Sequence, residues 1–251
     1  MKRLCACALA LALGLAGPAG AADWTGWYVG GHAGYADGDA DTRAALGGAW
    51  NSESQGLRNE VAAGLSADLG PSGAAYGLHV GYDHGFANGL LLGAELEYST
   101  LDLEETRVDG PRPTATFPSL SYTYAHGVEI DDSLALRGKI GYAGARNAVY
   151  AILGSARVDV DTAAGIGSNG GYAKAGGASG TETAVVYGVG YAYDFGNDWT
   201  LRAELTRTDI GEVEFETAYL PGSSFLTPAY TESFEQDIRF DTLRIGASYR
   251  F

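Results

Sequence analysis

Apolar and polar side chains alternate along this chain in blocks, and the clearest block is residues 241–251. There Leu243, Ile245, Ala247, Tyr249 and Phe251 share one side of a strand, while Thr242, Arg244, Gly246, Ser248 and Arg250 share the other. Successive strand side chains point to opposite faces, so the block makes one apolar and one polar face. Seven earlier blocks follow the same rule. Their apolar rows read Trp27, Val29, Gly31, Ala33 and Tyr35; then Tyr76, Leu78, Val80 and Tyr82; then Leu92, Ala94, Leu96 and Tyr98. The next are Leu134, Leu136, Gly138, Ile140 and Tyr142, and then Tyr150, Ile152, Gly154, Ala156 and Val158. Val185, Tyr187, Val189, Tyr191, Tyr193 and Phe195 form the sixth row, and Trp199, Leu201, Ala203 and Leu205 the seventh. The opposite rows carry glycine, His32, His79, Asp83 and charge: Glu95, Glu97, Arg137, Lys139, Arg202, Glu204 and Arg244.

The connections alternate in length. Short turns fall at 84–89, 144–147 and 196–198; Asn88-Gly89 in the first is a strong hairpin signal. Long segments, rich in acids, prolines or small residues, fill the other gaps. The segment 165–180 is built almost entirely of Gly, Ala and Ser and is expected to be mobile. Residues 120–126 and 212–216 keep alternating and are expected to extend their strands beyond a membrane. The long–short rhythm, with apolar rows about as long as the roughly 9–11 residues of a tilted membrane-crossing strand, predicts an all-β fold. It is an eight-stranded antiparallel up-and-down transmembrane β-barrel with long extracellular loops and short periplasmic turns. In lipid every backbone polar group needs a partner, so such a sheet must close. A lipocalin-like soluble barrel shares the topology but would bury the apolar rows inside.

Aromatic residues sharpen that choice. Trp24, Trp27, Tyr82, Phe86, Tyr142, Tyr150, Tyr193, Phe195, Trp199, Tyr249 and Phe251 all fall near the short turns, as an interfacial girdle would. Tyr35, Tyr76 and Tyr98 lie one crossing away and begin a second girdle.

At the start, basic Lys2 and Arg3, an apolar run 4–15, a Gly17-Pro18 break and small residues 19–21 read as a cleaved signal peptide, 1–21. The barrel domain then covers 22–251. The run is too short to span a bilayer as a helix. Cys5 and Cys7 leave with it, so the exported chain holds no disulfide. The formal net charge of −15 disfavours nucleic acid as a partner. Expected partners are outer-membrane lipid and lipopolysaccharide, and an extracellular ligand that the sequence does not identify; a monomer in the cell outer membrane is expected.

Residues 24–35 (Trp-Thr-Gly-Trp-Tyr-Val-Gly-Gly-His-Ala-Gly-Tyr), 133–142 and 244–251 resemble the small porin-family, opacity-type surface antigens of Gram-negative bacteria, barrels of the OmpA transmembrane type. The resemblance spans the chain after the signal peptide and rests on strand patterns, not on a chemical signature. It implies an eight-stranded outer-membrane barrel whose terminal aromatics, Tyr249 and Phe251, are read by the barrel-assembly machinery. The long acidic loops depart from the pattern, so loop-borne functions do not carry over.

The inward charges are the most specific constellation. Glu95 and Glu97 should face Arg137 and Lys139, and Arg202 and Glu204 should lie near Arg244. Barrels of this size are filled by their own side chains, so an ion-pair network plugging the lumen is preferred over a selective ion path. Asp37, Asp39 and Asp41 begin like a calcium loop, but Thr42 and Gly48 stand where that loop needs Gly and Glu. His32 and His79 are inward neighbours, read as lumen fillers ahead of haem ligands. Ser248 has no histidine near it in the sequence, so no catalytic set emerges. The resulting expectation is a surface protein with envelope and surface-interaction roles, without catalysis, cofactor or metal. A narrow diffusion channel, a haem or host-ligand binder and a lipid-modifying enzyme are the alternatives.

Overall fold

The computed structural model describes residues 23–251, so the expected signal peptide lies outside the described residues. Eight long strands carry the fold: β1 Gly26–Gly48, β2 Ser72–Gly85, β3 Leu90–Pro113, β4 Ser121–Ala143, β5 Asn147–Ser168, β6 Ala173–Gly196, β7 Trp199–Glu216 and β8 Tyr230–Arg250. Each pairs antiparallel with its neighbours in chain order. β8 also pairs with β1, from Tyr28↔Arg250 to Gly48↔Tyr230, and this closes the ring. Closure satisfies the backbone within the sheet itself, the condition for a sheet in lipid. Short strands Ala67–Leu69 and Ala218–Tyr219 add to the far ends of β1 and β6.

The strands outrun a membrane. β3 and β6 have 24 residues each, against the roughly 9–11 that cross the hydrocarbon. The surplus lies at the end opposite the short turns, and side-chain polarity inverts there. Outward on β1, exposed Trp27, Val29 and Tyr35 give way to Asp37, Asp39 and Asp41; on β7, Leu201 and Leu205 give way to Glu212, Glu214 and Glu216. Inward, the change runs the other way. Buried Glu95, Arg137, Arg202 and Glu204 are succeeded by a layer of Leu101, Leu103, Val128, Ile130, Val158, Val160, Ile238 and Phe240. Apolar groups face whichever side lacks water, so lipid outside and then water outside explains both halves. Bulges at Thr100/Leu103, Ile130/Ser133 and Ile238/Arg239 sit at the changeover.

Seven of the eight expected apolar rows face outward; β5 does not. There Val149, Ala151 and Leu153 face out, Leu153 being 66% exposed, while Tyr150, Ile152, Ala156 and Val158 face the lumen. Tyr150 is therefore no girdle residue. Both rows of β5 are apolar near its start, so its own alternation cannot set the phase. Its partner does: Tyr150 pairs with Gly190, on the glycine-rich inner row of β6. A Cβ at Gly190 would overlap the Tyr150 ring, so the glycine makes room for it. Trp24 is a second correction. It is buried under the turn end, its Nε1 donating to Gly144 O at 2.9 Å, where it packs with Leu91, Tyr150 and Ile152. Trp27, Tyr82, Tyr142, Phe195, Trp199, Tyr249 and Phe251 are exposed at that end and Tyr193 partly so, with Trp27–Tyr82 and Trp199–Tyr249 in ring contact across strand pairs.

The segment 165–180 is not a loose loop. It forms most of the β5–β6 hairpin tip, paired to Gly167↔Ala173. Between β1 and β2 stands a helix, α1 Gln55–Leu65, preceded by a 3-10 turn Ala49–Ser52. Ser54 caps α1 by accepting from Leu57 N at 3.3 Å. Leu57, Val61 and Leu65, four residues apart, bury against Tyr122, Tyr124 and Phe234 and lid the outer end of the barrel. A Cβ at Gly64 would overlap the Tyr124 ring, which is how closely the helix lies on β4.

Candidate functional site

The inner rows of β3, β4, β7 and β8 bring all seven expected charges into one buried layer, since Glu95 pairs with Arg137 and Glu204 with Arg244 across adjacent strands. Glu95 bonds Arg137, meets Arg202 Nη1 at 2.7 Å and has Lys139 Nζ 3.6 Å away. Glu204 takes Arg202 at 2.5 Å and Arg244 at 2.7 Å. Glu97 takes Arg244 and Arg137, each at 2.5 Å. Three residues outside the expected ion pairs join this layer. Asp83 holds Lys139 at 2.9 Å, Tyr28 OH donates to Glu95 at 2.7 Å, and Tyr150 OH donates to Glu204 at 2.6 Å. Cross-strand glycines were the signal for both tyrosines, because a Cβ at Gly81 would overlap Tyr28 just as one at Gly190 would overlap Tyr150. The spaces left around the layer are about 10 to 20 Å³, room for single waters. With the apolar layer above and Trp24 below, the lumen is filled.

Histidine and serine meet here in a way the sequence did not show. His79 Nε2 lies 2.8 Å from Ser248 Oγ, correcting the reading that Ser248 has no histidine near it, and His32 Nε2 lies 3.1 Å from Ser99 Oγ. Each contact skips a strand. His79 on β2 reaches β8 over Gly30 of β1, which pairs with both His79 and Ser248. His32 on β1 reaches β3 over Gly77 of β2, which pairs with both His32 and Ser99. A side chain at either glycine would block the reach: its Cβ would stand 2.5 Å from His79 Nε2 or 2.9 Å from His32 Cε1.

At the outer end the strand extensions and α1 form a crown with a pocket of its own. A cavity of about 180 Å³ is floored by Trp50, Tyr122 and Tyr172, walled by Tyr230 and Glu53, and rimmed by exposed Phe117 and Phe225. The rings stand nearly at right angles: Trp50 to Tyr230 at 4.8 Å and 76°, Trp50 to Tyr172 at 5.9 Å and 86°. One buried carboxylate holds the floor. Glu232 accepts from Trp50 Nε1 at 2.6 Å, Lys174 Nζ at 2.5 Å, Thr217 Oγ1 at 2.7 Å and the Tyr172 hydroxyl. Burial alone would raise the Glu232 pKa, but the hydrogen bonds from Lys174, Tyr172, Trp50 and Thr217 outweigh it and keep the carboxyl below its ordinary value. Burial and the bond to Glu232 push the Tyr172 hydroxyl up, and the 2.6 Å bond to Glu53 lifts Tyr230 to about 12. Both groups stay neutral tyrosines at physiological pH. None of the pocket residues stood out in the sequence, because they come from four separate long connections.

Comparison with known proteins finds relatives over nearly the whole chain. The 31 kDa outer-membrane immunogenic proteins of Brucella melitensis and Brucella suis are each 28% identical over 246 residues, covering 94% of this chain and 87% of theirs. Among solved structures, Neisserial surface protein A is 13% identical, covering 90% of this chain and 98% of its own, with a TM-score of 0.39. The attachment invasion locus protein Ail of Yersinia pestis is 13% identical in its complex with the heparin analogue sucrose octasulfate, covering 88% and 99%, with a TM-score of 0.35. The family of the outer membrane protein beta-barrel domain matches residues 5–251. With the closed eight-stranded ring, its lipid-facing apolar rows and its filled interior, that match makes this chain a member of the outer-membrane β-barrel family, resident in the outer membrane.

Proposed function

We propose that this chain is a non-catalytic surface protein whose sealed barrel anchors a ligand-binding crown. The observation that carries the reading is the crown pocket. Aromatic walls fixed by a buried, four-fold hydrogen-bonded Glu232 are preorganised to receive the apolar or aromatic part of an extracellular ligand. Against catalysis stand the surroundings of the two Ser–His contacts: Ser99 and Ser248 are buried, beside spaces too small for any substrate. Against a diffusion channel stands the packed lumen. In the same reading outer-membrane lipid and lipopolysaccharide surround the apolar rows, the barrel-assembly machinery reads exposed Tyr249 and Phe251, and the ring closed within one chain works as a monomer.

The test is ligand-observed NMR on the protein in lipid nanodiscs, with small aromatic and glycoside fragments as probes. Fragments should bind the native protein and lose binding in the rim variant Phe117→Ser/Phe225→Ser. A native protein that binds none of them, or binding that persists in the rim variant, contradicts the pocket as the site.

A further inference from the structure

We propose that His32, His79 and Glu97 form a binding site for a divalent late first-row metal ion, zinc in the first instance, inside the barrel. One ligating atom from each of the three lies within 4.8 Å of the others, and all three residues are at least nine-tenths buried. The imidazoles are held as ligands are usually held. Each has its Nε2 engaged by a serine hydroxyl, Ser99 or Ser248, and keeps Nδ1 buried without a hydrogen-bond partner. A metal-bound histidine characteristically has its other ring nitrogen fixed in this way. His32 Nδ1 and Glu97 Oε2 are 3.7 Å apart, and that oxygen, although 2.5 Å from Arg137, makes no hydrogen bond. A buried polar atom without a partner is costly, and both imidazole Nδ1 atoms are of that kind, in residues that with Glu97 line a space of about 10 Å³, the size of one ion or water.

The donor set selects the ion. Two imidazole nitrogens and one carboxylate oxygen form a set that zinc uses, and imidazole disfavours magnesium and calcium. The surrounding charge is already balanced, so the ion adds two positive charges that its ligand bonds must offset. Asp83, Glu95, Glu97 and Glu204 balance Arg137, Lys139, Arg202 and Arg244, and Arg137 keeps Glu95 and Glu204 when Glu97 Oε2 turns to the ion. The site lies beneath the buried apolar layer, so the ion enters as the barrel folds.

The experiment folds the unfolded protein in detergent with zinc, cobalt(II) or copper(II) present, then removes free metal by gel filtration. The native chain should retain one equivalent of metal, and the cobalt form should show visible ligand-field bands. Pulsed EPR of the copper form should report two imidazole nitrogens, a readout that needs no variant. His79→Gln and His32→Gln should abolish the bands while the unboiled protein still migrates as folded. Ser248→Ala, which removes only an orienting partner, should weaken retention about tenfold. A folded native chain that retains no metal overturns the proposal and leaves the space to water. Metal retained equally by the His32→Gln/His79→Gln double variant, or copper without imidazole coupling, overturns it as well.

Discussion

Removing the Glu95 side chain perturbs the centre of the lumen layer. Glu95 is 1% exposed and receives Arg137, Arg202, Lys139 and the Tyr28 hydroxyl. In Glu95→Ala, Arg137 keeps Glu97 and Glu204, Arg202 keeps Glu204, and Lys139 keeps Asp83. No cation is left alone, but the layer as a whole holds one uncompensated buried positive charge. Breaking a buried pair in this way costs about 3–5 kcal/mol. Adding Arg202→Met to Glu95→Ala restores the balance and fills part of the space. The double variant should then lie well short of the sum of the singles, by a coupling of about 2–3 kcal/mol. Equilibrium urea titrations in phosphatidylcholine vesicles, read as the fraction migrating folded without boiling, measure all four states of the cycle. A single variant costing under about 1 kcal/mol, well below the range for a broken buried pair, or costs that simply add, would refute the layer as a coupled network.

Three further outcomes follow from the same geometry. Gly190→Ala should destabilise the barrel by about 1–3 kcal/mol through overlap with Tyr150, and Tyr150→Ala should relieve part of that cost in the same titration. Glu232 has its folded pKa depressed below 4.5, so its contribution is present above that value and is lost as pH falls through the lower folded one. Protection of residues 49–65 and 168–176 against hydrogen exchange, corrected for the intrinsic rate at each pH, should therefore fall below 4.5, and Glu232→Gln should flatten the dependence. Planar-bilayer recording of the native protein should show no stepwise conductance, and Glu95→Ala/Glu97→Ala should stay closed because the apolar layer still seals the lumen; steps in the native protein would contradict the packed lumen.

Strand number, ring order and the charged layer were legible because each rests on alternation, and cross-strand neighbours in an up-and-down barrel are also sequence neighbours. Glu95 opposite Arg137 is of this kind. Where both rows of a strand are apolar, as around Tyr150, alternation is silent and the partner's glycines decide. Contacts that skip a strand, such as His79 with Ser248 over Gly30, need the register of three strands at once. Helix α1 did leave a trace, the Ser54 cap followed by Leu57, Val61 and Leu65, but its two glycines and polar surroundings hid it inside a segment that read as polar loop. The crown pocket assembles from long connections whose residues meet only after the barrel closes.

One outward row passes from lipid to water, and β5 shows both ends of it because Leu153 and Asp161 lie on the same row, one below and one above the polarity change. Spin labels at Leu153→Cys and Asp161→Cys in vesicle-folded protein can be compared by EPR for collision with oxygen, which concentrates in lipid, and with a water-soluble nickel chelate. Oxygen-dominated relaxation is expected at 153 and nickel-dominated relaxation at 161. Nickel-dominated relaxation at both positions would contradict this and place the apolar rows of this chain outside a membrane.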